Sequence, residues 1–198
     1  MALGPDEPPA GPWRVEPFAS LVQLIFGDLS LTGRTVLVAV DGRSASGKTA
    51  LAERLCAAIQ GATVVHTDDV AWHSSFFDWT ALLRDNVLVP IRRGETVHYR
   101  PPAREKHGRK GAISIQGNCP LVVIEGVGVA RRELSTWFDA IVWVQSDLAT
   151  AKQRGIVRDG GDEHAMSFWE EWERGRFLFS RAIVLGSEPS SSLPELKS

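Results

Sequence analysis

The sequence predicts an α/β fold, a mostly parallel sheet held between layers of helices, with a helical lid and a small extended excursion. Three observations predict it. Apolar runs of strand length alternate with stretches of helical spacing along the chain, the signature of a parallel sheet joined by right-handed crossovers. Two of those runs, Leu121-Val-Val-Ile124 and Ala140-Ile-Val-Trp-Val144, are continuously apolar, as strands covered on both faces must be. A third, Thr35-Val-Leu-Val-Ala-Val40, leads directly into Gly42-Arg-Ser-Ala-Ser-Gly-Lys-Thr49, a full match to the phosphate-loop pattern G-x-x-x-x-G-K-[ST].

The elements follow in order. Residues 1–15, with Pro5, Pro8, Pro9 and Pro12, read as a disordered tail. Phe18, Leu21, Val22 and Ile25 keep helical spacing and predict a first helix over 16–28. The strand at 35–40 comes next, then a helix over 48–59 marked by Leu51, Leu55 and Ile59. Ala62-Thr-Val-Val-His66 is a short second strand. The stretch 70–94 mixes loop and helix, with Trp79-Thr-Ala-Leu-Leu83 opening a helix. Residues 96–100 and 111–115 are expected to pair as the extended excursion, joined by the polar stretch 101–110. Strands at 121–124 and 140–144 follow, then a helix from Leu148 to Val157. Gly160-Gly161 separates it from a further helical pattern through Phe168, Trp172 and Phe179. Ala182-Ile-Val-Leu185 is a candidate last strand, and the Ser- and Pro-rich residues 187–198 read as a second disordered tail. One domain is expected over 16–186.

Bulk properties narrow the function. A formal net charge of −2 gives no electrostatic footprint for a nucleic-acid polymer or a membrane surface. No apolar run reaches the roughly 18–20 residues of a membrane span, and the first residues lack the layout of a secretory leader. Cys56 and Cys119, both in apolar contexts, are expected as buried thiols, which suits a cytoplasmic setting. The histidines show no zinc-ligand spacing. A homo-oligomer is left open.

The phosphate loop carries the first chemistry. Gly42 and Gly47 allow a tight turn, so backbone N–H groups from Ser44, Ala45, Ser46 and Gly47 onward, at the positive end of the next helix, can face phosphate oxygens. Lys48 can reach the β- and γ-phosphates, and the Thr49 hydroxyl can ligate Mg²⁺. Two acids then separate a kinase from other nucleotide binders. Asp68-Asp69 follows the second strand, at the carboxyl end where open α/β sheets bind ligands. A carboxylate there can take the proton of an attacking alcohol; helix capping is the alternative for the pair, and Asp68 ranks ahead of Asp69. Glu125 closes an apolar strand and is placed to hold Mg²⁺, unless it is an ordinary exposed strand-end acid. The chain contains no Asn-Lys-x-Asp, which disfavours GTP recognition.

With these residues in hand, the chain resembles the uridine kinase-like family of P-loop kinases, which includes uridine–cytidine and nicotinamide riboside kinases. The resemblance rests on Gly42–Thr49, His66-Thr-Asp-Asp69, Phe77-Asp78, Tyr99, Val123-Ile-Glu-Gly126 and Arg154-x-x-x-Arg158-Asp159, over roughly residues 35–180. It implies a P-loop NTPase three-layer sandwich, ATP and Mg²⁺ as cofactors, and a small-molecule alcohol as substrate. It implies Asp68 as the catalytic carboxylate, Asp78 as an acid gripping ribose hydroxyls, Tyr99 as an aromatic beside a nucleobase, and Arg154 and Arg158 as lid arginines. Helix capping by Asp78, packing by Tyr99 and a solvated helix face for the two arginines stand as alternatives. The stretch Tyr99–Lys110, with two prolines and several basic residues, departs from the uridine kinase pattern and would suit an acceptor with an anionic group. The expected activity is phosphorylation of a nucleoside or ribosyl hydroxyl. The alternatives are a kinase of another alcohol (pantothenate, a sugar acid, an antibiotic intermediate) and a regulatory module that binds nucleotide without turning it over.

Overall fold

A computed structural model describes residues 16–27, 33–71, 79–102 and 110–161. The expected tails, the candidate strand at 182–185 and most of the expected lid lie outside the described residues. Helix α1 spans Phe18–Phe26, strand β1 Val36–Gly42, α2 Lys48–Ala57, β2 Thr63–His66 and α3 Asp68–Ala71. A helical run then passes from α4 (Thr80–Leu83) through a widened π turn (Arg84–Leu88) into α5 (Val89–Arg92). Strands β3 (Val97–Tyr99), β4 (Ile113–Ile115) and β5 (Leu121–Glu125) follow, then α6 (Arg132–Ser135), β6 (Ala140–Val144) and α7 (Leu148–Arg158).

The sheet has the order β2-β5-β1-β6, and every pair in it is parallel. The expected excursion is an antiparallel hairpin in which Val97 faces Ile115 and Tyr99 faces Ile113. Strand residues point alternately to opposite faces, so β1 feeds two cores. Val36, Val38 and Val40, with Leu121 and Val123, pack under α1 and α2. Leu37 and Ala39, with Val122 and Ile124, pack against Trp79, Leu83, Val87, Leu88 and the hairpin. That is the three-layer arrangement the continuous apolar runs require. Helix α1 is shorter than expected at both ends. The π turn is not signalled by hydrophobic spacing. It ends two residues before Pro90, whose missing N–H cannot continue a regular ladder, and the wider turn takes up the break.

One ionic cluster ties the amino end of the sheet. The Leu37 N–H donates to Asp139 Oδ2 at 2.8 Å, and the Asp139 N–H returns a bond to the Leu37 carbonyl. Arg34 and Arg92 donate to the two oxygens of the same carboxylate at 2.8 and 3.1 Å, and Arg92 also donates to the Trp137 carbonyl. Burial pushes the Asp139 pKa up, but the Leu37 amide and the two guanidiniums outweigh it and hold the pKa below 3.8. Replacing Asp139 by Asn should cost roughly 1–3 kcal/mol near neutral pH, the scale for hydrogen bonds to a charged group. The sign follows from the lowered pKa. The stabilisation is full above the unfolded-state carboxylate value and is lost as pH falls through the folded-state one. Urea unfolding of both proteins across that range should show a gap that closes in acid.

Candidate active site

The carboxyl ends of β1, β2 and β5 meet at the phosphate loop. Gly42 leaves β1 with φ +140°, and a Cβ there would sit 2.1 Å from the Val144 carbonyl oxygen, so only glycine lets β1 turn beside β6. Ala45 at the loop's crest has φ +56°, a left-handed value that costs a non-glycine residue on the order of 1 kcal/mol or more. Ser46 is buried, and its hydroxyl has no hydrogen-bond partner among the described residues. Lys48 opens α2, is only 7% exposed, and donates from Nζ to the Arg43 carbonyl at 2.7 Å. Burial pushes the Lys48 pKa down; Glu125, Asp41 and Asp68 oppose that, and Arg158 adds to it.

Asp41 holds the loop to its neighbour. Its Oδ1 accepts the N–H groups of Gly42 at 2.6 Å and Gly128 at 2.8 Å, and its Oδ2 accepts that of Ala130 at 2.8 Å. The carboxyl is wholly enclosed. Burial raises its pKa more than the three amides and Lys48 lower it. The segment it fixes carries Arg131, which donates to the Gly128 carbonyl at 2.7 Å and to Thr80 Oγ1 at 3.0 Å, with its guanidinium 4.3 Å above the Trp79 ring. So the loop after β5 is pinned to β1 on one side and to the start of α4 on the other. Hydrophobic spacing does not reveal this. The available signal was an acid at the end of a buried apolar strand, immediately before the loop.

Glu125 is the last residue of β5 and is 6% exposed, so it is not a solvated strand-end acid. Its Oε1 lies 3.2 Å from Thr49 Oγ1 and 2.6 Å from His66 Nδ1. Its main chain is also used: the Thr67 N–H donates to the Glu125 carbonyl at 2.8 Å, and Gly126, which follows, donates to Val40. A Cβ on Gly126 would overlap the Thr67 hydroxyl, so glycine lets the two strand ends close up. Asp68 begins α3 at the cleft's rim. Its side chain is open to solvent, yet enough protein surrounds it that burial is the first cause of its raised pKa. Glu125's charge is the second, with Lys48, Arg158 and His66 acting the other way. Among the described residues its carboxylate makes no hydrogen bond, so it does not cap its helix. Asp69, half-buried, acts electrostatically on His66.

The other expected site residues divide. Arg158, on the last turn of α7, pairs with Asp159 at 2.8 Å and is near enough to Asp68 for the two charges to interact. Arg154 is exposed one turn earlier. Tyr99 packs its ring against the core under α4, and its buried hydroxyl has no partner among the described residues. Asp78 lies outside the described residues. Among those described, no group of three or more His, Cys, Asp or Glu converges as a metal cage. No described helix is long and apolar enough to cross a membrane.

With the phosphate loop, the acid after β2 and the acid closing β5 in place, comparison with known proteins finds kinases. Uridine kinase of Listeria welshimeri is 27% identical over 146 residues, covering 65% of this chain and 70% of that protein. Uridine kinase of Listeria monocytogenes serotype 4a is 26% identical over 163 residues, covering 69% and 78%. The chain is a distant relative of the uridine kinases. Among solved structures, a candidate fructose transport system kinase from Silicibacter sp. TM1040 superposes with a TM-score of 0.59 at 21% identity, over 83% of this chain and 90% of the other. A possible uridine kinase from Bacillus stearothermophilus gives 0.50 at 20% identity, over 84% and 95%. These two matches speak for the fold alone: a four-stranded parallel sheet with an added antiparallel hairpin. No family model matches the chain.

Asp41 is the expected weak point of the site. Asp41→Ala strands the amides of Gly42 and Ala130, both buried, and that of half-buried Gly128, each buried one costing roughly 1–3 kcal/mol when left without a partner. The variant should unfold at markedly lower denaturant, and calorimetry with ADP should show weakened binding in whatever fraction stays folded. An unchanged midpoint would mean that the two loops hold their positions without the carboxylate.

Proposed function

We propose that the protein is an ATP-dependent kinase that transfers the γ-phosphate to a hydroxyl of a small molecule, a nucleoside or related ribosyl compound. The observation that carries this is Asp68. It is a partly enclosed carboxylate beside Lys48 and Glu125, with no hydrogen bond of its own among the described residues. A nucleotide switch has no need of a proton acceptor held at that place; a kinase of alcohols does. The distant likeness to uridine kinases supports the same reaction class.

In this reading the amides of Ser44, Ala45, Ser46, Gly47, Lys48 and Thr49 hold the β- and γ-phosphates, the position the open first turn of α2 suits. Lys48 turns from the Arg43 carbonyl toward the phosphate oxygens. Thr49 and Glu125 are the residues to hold Mg²⁺. The donor set fits it: a hydroxyl and one carboxylate, and no closed cage, suit an ion that takes most of its ligands from phosphates and water. When bound, that cation would supply charge neutralisation on the nucleotide. The acceptor's O–H proton passes to an Asp68 oxygen as the acceptor oxygen bonds to the γ-phosphorus and the bond to the ADP oxygen breaks. Arg158 and Arg154 offset charge on the transferring group. The resemblance gives Asp78, Asp69 and Tyr99 to the acceptor, since an acid can accept from a diol and an aromatic ring can stack on a flat base; the packing of Tyr99 against the core favours Asp69 and Asp78 over it. The protein's place of work in this reading is the cytoplasm. The direct test is ADP release that depends on an added alcohol, screened over nucleosides, vitamins and sugars.

Two outcomes are expected from variants. Asp68→Asn should retain ATP binding while turnover falls by a factor on the order of 10² to 10⁴, the usual contribution of a positioned base. The raised Asp68 pKa sets the sign of the pH profile. Protonation removes the base, so the acid limb of wild-type kcat/KM should sit above pH 3.8, and Asp68→Asn should abolish that limb. Asp69→Asn should be milder; the reverse order would move the base by one residue. Asp78→Ala should raise the acceptor KM and leave the ATP KM nearly unchanged. Impairment toward ATP alone would take Asp78 out of the acceptor pocket.

A further inference from the structure

We propose that His66 is a positioning residue that fixes the Glu125 carboxylate for the cation accompanying the nucleotide. The inference rests on the kinase reading above and deepens it. Strands β2 and β5 pair in parallel with His66 opposite Glu125, the last residue of each strand, so the two side chains leave neighbouring strand ends together. Parallel partners share a face, and Nδ1 meets Oε1 at 2.6 Å. An ionised carboxylate only accepts, so Nδ1 carries the hydrogen in this contact. Thr49 Oγ1 donates to the same oxygen at 3.2 Å.

The consequence is an asymmetric carboxylate. Oε1 holds two donors, while Oε2 has no hydrogen bond among the described residues. With one donor, at the longer distance, the carboxyl would turn about its terminal torsion. With two donors on one oxygen it is held, and Oε2 is left for a further ligand. Burial sharpens the need, because Glu125 is 6% exposed and few waters can reach it to orient it. The His66 side chain itself is 39% exposed, so packing does not explain an imidazole at this position. The hydrogen bond does. Such outer partners orient metal-binding groups, and their loss is felt in affinity for the ion.

The test is calorimetric binding of ADP to the full chain, in excess Mg²⁺ and in EDTA, for wild type, His66→Ala and His66→Asn. The Asn amide nitrogen can stand where Nδ1 stands and donate to the same oxygen. Wild type should bind ADP more tightly with Mg²⁺ than in EDTA. His66→Ala should cut that ratio by about 10- to 100-fold with affinity in EDTA nearly unchanged, and His66→Asn should recover most of it. A full Mg²⁺ effect in His66→Ala, or an Asn variant no better than Ala, overturns the role of His66 and leaves the kinase reading standing. A wild type that binds no ADP, or binds it alike with and without Mg²⁺, overturns the nucleotide–cation reading of the site and this inference with it.

Discussion

The site depends on one buried carboxylate that has no part in the proposed reaction. Asp41 stands where β1 ends, and its two oxygens gather amides from the first residue of the phosphate loop and from the loop after β5. Past Gly42, which still pairs with Val144, the phosphate loop leaves the sheet, and the segment after Glu125 leaves it too. Without a shared acceptor, the phosphate loop and the segment carrying Arg131 would be joined only through the strands behind them. With it, a displacement of one loop is a displacement of the other. Burial works against the charge, and its pKa is raised, so the arrangement costs stability that the apolar strands must supply. Those strands are well suited to supply it, since β1 and β5 are buried along their whole length.

Strand order does the rest. Because β5 lies between β1 and β2, Glu125 is flanked by β1's loop on one side and by β2's end on the other. A single residue thereby touches Thr49 of α2, His66 of β2 and, through its main chain, Thr67 before α3. The negative charges of Asp68 and Glu125 then face Lys48 from two different strand ends. Their effects on their neighbours are opposite in sign: Glu125 makes Asp68 a weaker acid, and both oppose the fall that burial imposes on the Lys48 pKa. The raised pKa of Asp68 and the opposed fall at Lys48 are both products of the same crowding.

What could be read from the sequence was what is local. Gly42 to Thr49 declares its loop because every residue of the pattern is contiguous, and the hairpin of Val97–Tyr99 with Ile113–Ile115 announces itself by two short β-rich runs. Asp68 and Glu125 are legible as acids at strand ends, since the carboxyl edge of a parallel sheet is where ligands gather. The π turn before Pro90 is not legible from apolar spacing, because a single widened turn of five residues is too short to shift a periodic pattern. The Asp41 partners lie 87 and 89 residues away, and the His66–Glu125 contact spans 59. Both require the order β2-β5-β1-β6, which crossover rules limit but do not choose. Arg131 over Trp79 is hidden for the same reason. Asp78 and the lid beyond Gly161 remain expectations drawn from the chain's pattern alone.

The sheet's two ends divide the labour between stability and reactivity. At the amino end, Asp139 satisfies a main-chain amide and two arginines, and the net result is a carboxyl held below its ordinary pKa, so its ionised form stabilises the fold. At the carboxyl end, Asp41 and Asp68 lie above theirs and Lys48 below, so each ionised form there is held against burial. The same β1 strand joins the two, tied at Leu37 to Asp139 and ending at Asp41. A group whose charged form is unfavourable in the folded protein alone gains the most from a ligand that neutralises it. Lysine beside phosphate, and a carboxylate beside an acidic proton, are such pairings. The well-paired ions at the amino end steady the fold; at the carboxyl end Asp41 holds two loops together, while Lys48 and Asp68 are the poorly compensated groups that the ligands of the proposed reaction would meet.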